Sequence, residues 1–136
     1  MNFDKEDFKA YLTMIENVIS RMATNSFIVK GWTITMISAI LVLAVSKNLN
    51  YKVYIIAIVA DISFCFIDCF YLRTEKLYRN MYKSVLGFKN NLKQINFFDL
   101  NASEYKDKNT SPINVFLSCS IWPLYLVILA SIVFIA

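Results

Sequence analysis

Polar and apolar residues follow two different rhythms along this chain. Between residues 5 and 30, Phe8, Tyr11, Leu12, Ile15, Val18, Ile19 and Met22 recur at three- and four-residue steps, with Lys9, Thr13, Glu16, Ser20 and Thr24 opposite. That spacing predicts an amphipathic helix. Asp4, with Asp7 three residues on, resembles a capping box at its start. The rhythm is then lost in three almost wholly apolar runs. The first, 31–46, lies between Lys30 and Lys47. The second, 53–72, lies between Lys52 and Arg73 and is broken by Asp61 and Asp68. The third, 113–136, holds no charged side chain.

About 20 helical residues cross the roughly 30 Å hydrocarbon core of a bilayer. The second and third runs are long enough outright. The first reaches that length if Lys30 and Lys47 snorkel outward. Trp32 and Tyr54 stand where interfacial aromatics belong. The expected fold is therefore all-α: a membrane protein with three transmembrane helices at 31–46, 53–72 and 113–136. A soluble helical bundle is the competing reading, but the last run offers water no polar face.

The second run continues past Arg73 with Tyr78, Met81, Tyr82 and Val85 on one side, and Gly87 is a suitable terminator. A tight hairpin near residues 49 and 50 pairs positions whose numbers sum to about 100. Val18 then faces Tyr82, and Ile15 faces Val85. Arg21 falls near Glu75 and Arg79, and Glu16 near Lys83. The helices 5–30 and 73–95 are thus expected to form an antiparallel stalk continuing the first two spans. Two other readings of 5–30 are an interfacial helix and a short self-associating heptad pattern. Residues 96–111 are rich in Asn, Asp and Ser and read as a linker with one short helical turn. Pro112 suits the first turn of the third span, and Pro123 is expected to kink it.

Charge sets the orientation. The segment 73–111 carries eight Lys and Arg, whereas the first interhelical loop carries only Lys47 and Lys52. By the positive-inside rule the stalk and the N-terminus are cytoplasmic and the third span ends outside. The mixed charges of the first 30 residues argue against a cleavable signal. The basic stretch 73–93 reads either as a topology signal or as a surface for anionic lipid, nucleotide or RNA phosphate. No DNA partner is expected.

Composition narrows the chemistry. The 136 residues are 57% hydrophobic and 18% charged and include no His and two Gly. No imidazole-dependent mechanism and no phosphate-cradling glycine loop can be built from them. Cys65, Cys69 and Cys119 fall inside expected spans and read as small buried hydrophobes. Cys65 and Cys69 stand four apart but lack a third ligand, so neither metal nor cofactor is expected, and no enzymatic activity.

The candidate site residues are the two aspartates. Asp61 and Asp68 lie about 10 Å apart along one helix face, too far for the shared proton of an aspartyl protease. A carboxyl in the bilayer must face protein or water. Asp61 reads equally as interhelical glue toward Ser38 and as one member of a pore-lining ring. Asp68 reads as glue toward Trp32 or Thr33, and Thr33, Thr35 and Ser38 are expected to bond across the hairpin.

Two stretches carry a resemblance. Arg21, Met22, Asn25, Ser26, Phe27, Lys30 and Trp32, followed by Asp68, Tyr71, Leu72, Glu75, Tyr78 and Arg79, resemble the pattern of a group of small bacterial three-span membrane proteins. The likeness covers about 60 of the 136 residues. It implies a bacterial inner-membrane location and a role like that of membrane effectors of antiphage defence, which depolarise or permeabilise the membrane when triggered. Of the matching residues, Arg21, Asn25, Glu75 and Arg79 cluster in the hairpin register just below the first two spans, as a polar network that could fix register or gate. The expected function is an oligomeric channel or membrane-disrupting effector, since three spans enclose no pore alone. Its partners are lipid, further copies of the chain, and a cytoplasmic protein or nucleotide as signal. The alternative is a non-conducting adaptor that docks a cytoplasmic partner.

Overall fold

No proline falls between residues 5 and 46, and Glu6 and Asp7 complement the first-turn dipole. Nothing stops the helix there, and nothing does. In the computed structural model, which describes residues 5–47, 50–87 and 99–136, α1 runs without a break from Lys5–Ser46 and α2 from Lys52–Gly87. The stripe of the first segment and the apolar run after it are one helix. The part of the 73–95 helix beyond Gly87, the hairpin tip at 48–49 and the Asp4 cap lie outside the described residues. Among those residues the chain is all-helical, with no strand, and both long helices are long and apolar enough to cross a membrane.

The two helices pack antiparallel along their lengths. At the far end from the turn, Phe8, Tyr11 and Ile15 of α1 meet Met81 and Val85 of α2. Near the turn, Ile37 meets Ala57. Between them Ser26 and Lys30 stand against Asp68. Ile37 with Ala57 and Ser26 with Asp68 sum to 94, and Lys30 with Asp68 to 98, so the register lies slightly below the expected one.

The third apolar run departs from expectation. It is two helices, α3 (Pro112–Phe116) and α4 (Trp122–Ile135), separated by turns at 117–121. Pro123 does not kink a continuous helix; it sits in the first turn of a new one. It has no N–H to give the Cys119 carbonyl, and its ring would collide with that carbonyl. The preceding turn closes instead with Ile121 N donating to Ser118 O at 2.9 Å. Cys119, expected inside a span, is exposed in this turn. From it α4 runs parallel to α1, with Tyr125 beside Phe64 and Asp68 of α2 and Ile132 against Ile37 and Ala57.

The described part of the 96–111 linker is a strap laid on the helices. It holds two short 3-10 turns, at Ala102–Glu104 and Lys108–Thr110, with Ala102 and Thr110 buried. Four side chains of α1 and α2 donate to its carbonyls. Tyr11 Oη reaches Asp99 O at 2.5 Å, Tyr78 Oη reaches Leu100 O at 2.9 Å, Asn80 Nδ2 reaches Tyr105 O at 3.2 Å, and Arg73 Nε reaches Thr110 O at 3.1 Å. An irregular backbone laid against apolar helices must have its carbonyls satisfied, and these donors satisfy them.

Candidate functional site

Asp61, Cys65 and Asp68 share the buried face of α2 with Ala57, but the two carboxylates have opposite surroundings. Asp68 is fully buried (0% exposed) and saturated. Ser26 Oγ donates to its Oδ1. Lys30 Nζ donates to Oδ1 at 2.9 Å and lies 2.7 Å from Oδ2. Lys30 also donates to Ser26 Oγ at 2.8 Å, and Tyr125 Oη reaches Oδ2 at 3.3 Å. Asp68 therefore bridges α1, α2 and α4. Burying a carboxylate is tolerable only when it is paired and hydrogen-bonded in this way.

The expected partners of Asp68 were different. Trp32 is 62% exposed and turns away from the helix pair. Lys30, expected to snorkel, points inward because a buried carboxylate within reach holds it better than the interface would. Ser26 and Lys30 are four apart on α1, so one helix face presents both to Asp68.

Asp61 is 3% exposed, and its Oδ1 has no hydrogen-bond partner. It stands in the wall of a cleft of about 370 Å³ between α2 and the broken third segment. Phe66, Leu117, Trp122 and Leu126 supply much of the remaining wall. Cys65, Trp122 and Tyr125 line the cleft as well, and the Tyr125 hydroxyl is turned to Asp68, but none of them donates to this oxygen. Thr35 and Ser38 do not either. Both are exposed on the outer side of α1. Thr35 Oγ1 turns back to Gly31 O at 2.9 Å. The buried hydroxyl at this level is that of Thr33, which bonds Val29 O at 2.8 Å.

The polar network expected from Arg21, Asn25, Glu75 and Arg79 is only half assembled. Arg79 Nε and Glu75 Oε1 lie 2.7 Å apart on one helix. Among the described residues, neither Arg21 nor Asn25 joins them, and Arg21 is exposed. The register places Arg21 at the edge of the contact, where water solvates a guanidinium at less cost than a shared carboxylate would. Across the hairpin the contact is Tyr82 Oη to Glu16 Oε1 at 2.7 Å. Glu16 therefore pairs with Tyr82, though Lys83 lines, with both of them, a second cleft on the stalk.

Among the described residues, two titrating groups outside the apolar runs are displaced: the hydrogen bond to the Glu16 carboxylate raises the Tyr82 phenol, and Tyr11 moves further. Burial pushes the Tyr11 phenol up to about 12, and Tyr105 and Asp99 beside it add to the shift. Among the described residues no group of Cys, Asp and Glu could hold a metal ion.

Sequence reasoning missed Ser26, Lys30 and Tyr125 as the partners of Asp68. Ser26 and Lys30 carried a signal in their four-residue spacing. Tyr125 carried none, because its place depends on the break before α4. No family model matches the chain, and neither a curated protein nor a solved structure is detectably similar to it.

Proposed function

We propose that this chain is an integral protein of the bacterial inner membrane that assembles with copies of itself into a channel or membrane-permeabilising effector. The observation that carries the reading is an inverted distribution of polarity. Along the apolar half of α2 the carboxylates of Asp61 and Asp68 are buried, while Phe66 on the same helix is 70% exposed and Val42 on α1 is 63% exposed. In water this would be an aggregating surface. In lipid it is the expected arrangement.

The lengths support a stalk. α1 and α2 would extend about 63 and 54 Å, whereas a bilayer core takes up about 30 Å. The surplus is the amphipathic part with the strap on it, placed in the cytoplasm by its Lys and Arg. The third span is then α3, the 117–121 turn and α4 together, with the C-terminus outside. Within the protomer only Ile121 of that turn is buried, so this reading requires a neighbouring copy or the membrane interface to cover the rest of its irregular backbone.

Asp68 serves as the internal bridge in this reading, and Asp61 is the carboxylate left for the assembly. The resemblance to small bacterial membrane proteins supports a role in antiphage immunity. The test is ion flux through liposomes reconstituted with the purified chain, together with membrane potential in cells expressing it. Flux is expected, with an altered rate for Asp61→Ala. A chain that stays soluble without detergent, or that gives sealed vesicles, defeats the reading.

A second reading rests on the cleft of about 430 Å³ on the stalk, lined by Glu16, Ile19, Arg79, Tyr82 and Lys83 among others. A cytoplasmic protein seated there would make the chain a docking subunit. That reading requires stoichiometric co-purification with such a protein and no flux.

A further inference from the structure

A groove of about 440 Å³ lies between α2 and α3. Phe66, Phe70 and Arg73 line its α2 wall, and their spacing of four and three sets them on one helix face. Ile113, Phe116 and Leu117 line the opposite wall at similar spacing. Phe66, Phe70, Ile113 and Leu117 are all exposed, so the groove opens to the outside of the protomer. Its walls are hydrocarbon except at one end. There Arg73 stands, where the apolar run 53–72 stops. Phe66 lies about 10 Å from it along the helix axis.

Arg73 is fixed but not used up. Its Nε donates to Thr110 O at 3.1 Å, which holds the guanidinium against the strap. No bond within the described residues engages its two terminal amino groups. Lys76 follows three residues on along the same face, and Lys106 and Lys108 are exposed on the strap. The acids nearest in sequence are occupied. Glu75 is paired with Arg79, and Asp107 accepts from the Lys108 backbone N–H at 2.6 Å. The head of the groove thus carries positive charge that the protomer does not answer. The α1 helix of a second copy could not answer it either. The sequence holds no acid between Glu16 and Asp61, and Glu16 stands beside Tyr82, about 13 Å beyond Arg73 along α2.

We propose that this groove seats one anionic phospholipid, with a phosphate on the Arg73 guanidinium and an acyl chain along Phe66, Phe70 and Phe116. The inference rests on the membrane reading above and adds a ligand to it. A guanidinium fork matches two phosphate oxygens. Basic pockets between membrane helices on the cytoplasmic side suit such headgroups. The excess of cations favours a headgroup of net negative charge over a zwitterionic one.

The test reconstitutes the full chain in phosphatidylcholine vesicles containing a trace of photoactivatable lipid. The reactive group is on the acyl chain, and the headgroup is either phosphatidylglycerol or phosphatidylcholine. Adducts are mapped by mass spectrometry. On Phe66, Phe70 and Phe116 phosphatidylglycerol is expected to exceed phosphatidylcholine by about fivefold or more, the ratio for one basic side chain near the surface. On Val42 and Phe134 the two lipids are expected to label alike. Ile113→Trp, which fills the groove, is expected to remove the adducts there and leave those on Val42 and Phe134. Arg73→Gln is expected to bring the ratio toward one. Lys76→Gln is expected to lower it as well, and it keeps the Thr110 bond should the strap need Arg73. Equal labelling by both lipids in the groove, or an excess unchanged in both headgroup variants, overturns the proposal. So does a groove without adducts while Val42 and Phe134 are labelled, the outcome if a second copy fills it. A chain that takes no label anywhere and stays soluble without detergent defeats the membrane reading itself.

Discussion

Lys30 Nζ lies 2.7 Å from Asp68 Oδ2, with the carboxylate fully buried and the lysine side chain 19% exposed. The pair pins α1 to α2 where the amphipathic and apolar halves of each helix meet. Removing one member leaves the other charge stranded, which costs about 3–5 kcal/mol for a buried pair. Lys30→Met is therefore expected to lower the thermal midpoint in detergent sharply. Lys30→Met combined with Asp68→Leu is expected to recover most of the loss, because the stranded charge is gone. A double variant as unstable as the single one would show that the pair holds more than its own charges.

Asp61→Leu is expected to act in two directions. In dilute single chains it removes an unsatisfied buried acceptor, a gain of about 1–3 kcal/mol, so the midpoint should rise. In the assembled state the channel reading has it remove a carboxylate from the ion path, so the rate of ion flux should change. Thermal melts in detergent and flux through liposomes read the two effects separately. A lower midpoint for the dilute chain would mean that Asp61 already has a partner within the protomer.

Tyr11 makes the strap sensitive to alkali. Its phenol ordinarily titrates near 10 and is pushed to about 12 in the folded chain by burial. A raised folded value means that the contribution is complete below about pH 10 and fades as pH climbs through 12. The melting midpoint is expected to decline over that window, and the decline should be shallower in Tyr11→Phe. At neutral pH that variant loses the bond to the Asp99 carbonyl, worth about 1 kcal/mol. Parallel pH curves for the two proteins would remove Tyr11 from the account.

Arg21→Ala and Asn25→Ala are expected to leave stability within about 0.5 kcal/mol of the parent, as for surface positions generally. Thermal melts check this. If either variant nonetheless loses ion flux or toxicity, the residue meets something outside the chain.

Pro123→Ala restores an N–H opposite the Cys119 carbonyl. The turns at 117–121 are then expected to join α3 to α4, with a rise in helical circular dichroism and a reshaped cleft beside Asp61. An unchanged spectrum would assign the break to Ser118, Cys119 and Ser120 instead.

Periodicity and charge made much of this protein legible before any coordinates. The stripe from Phe8 to Met22 and the long apolar runs dictate α1 and α2, because a helix face follows from local spacing alone. The inward placement of Asp61 and Asp68 is what the membrane reading requires, since a carboxylate against hydrocarbon is costly. Which groups answer those carboxylates was not legible. Lys30 and Trp32 are two residues apart, and a small change in register decides which turns inward. Tyr125 reaches Asp68 only because the chain breaks before Trp122, and the strap is held by side chain to carbonyl bonds that leave no period in the sequence. Local spacing sets helices and their faces. Partners far apart in the chain are chosen by register and packing, where the competing arrangements differ by a residue or two, and only the assembled fold decides among them.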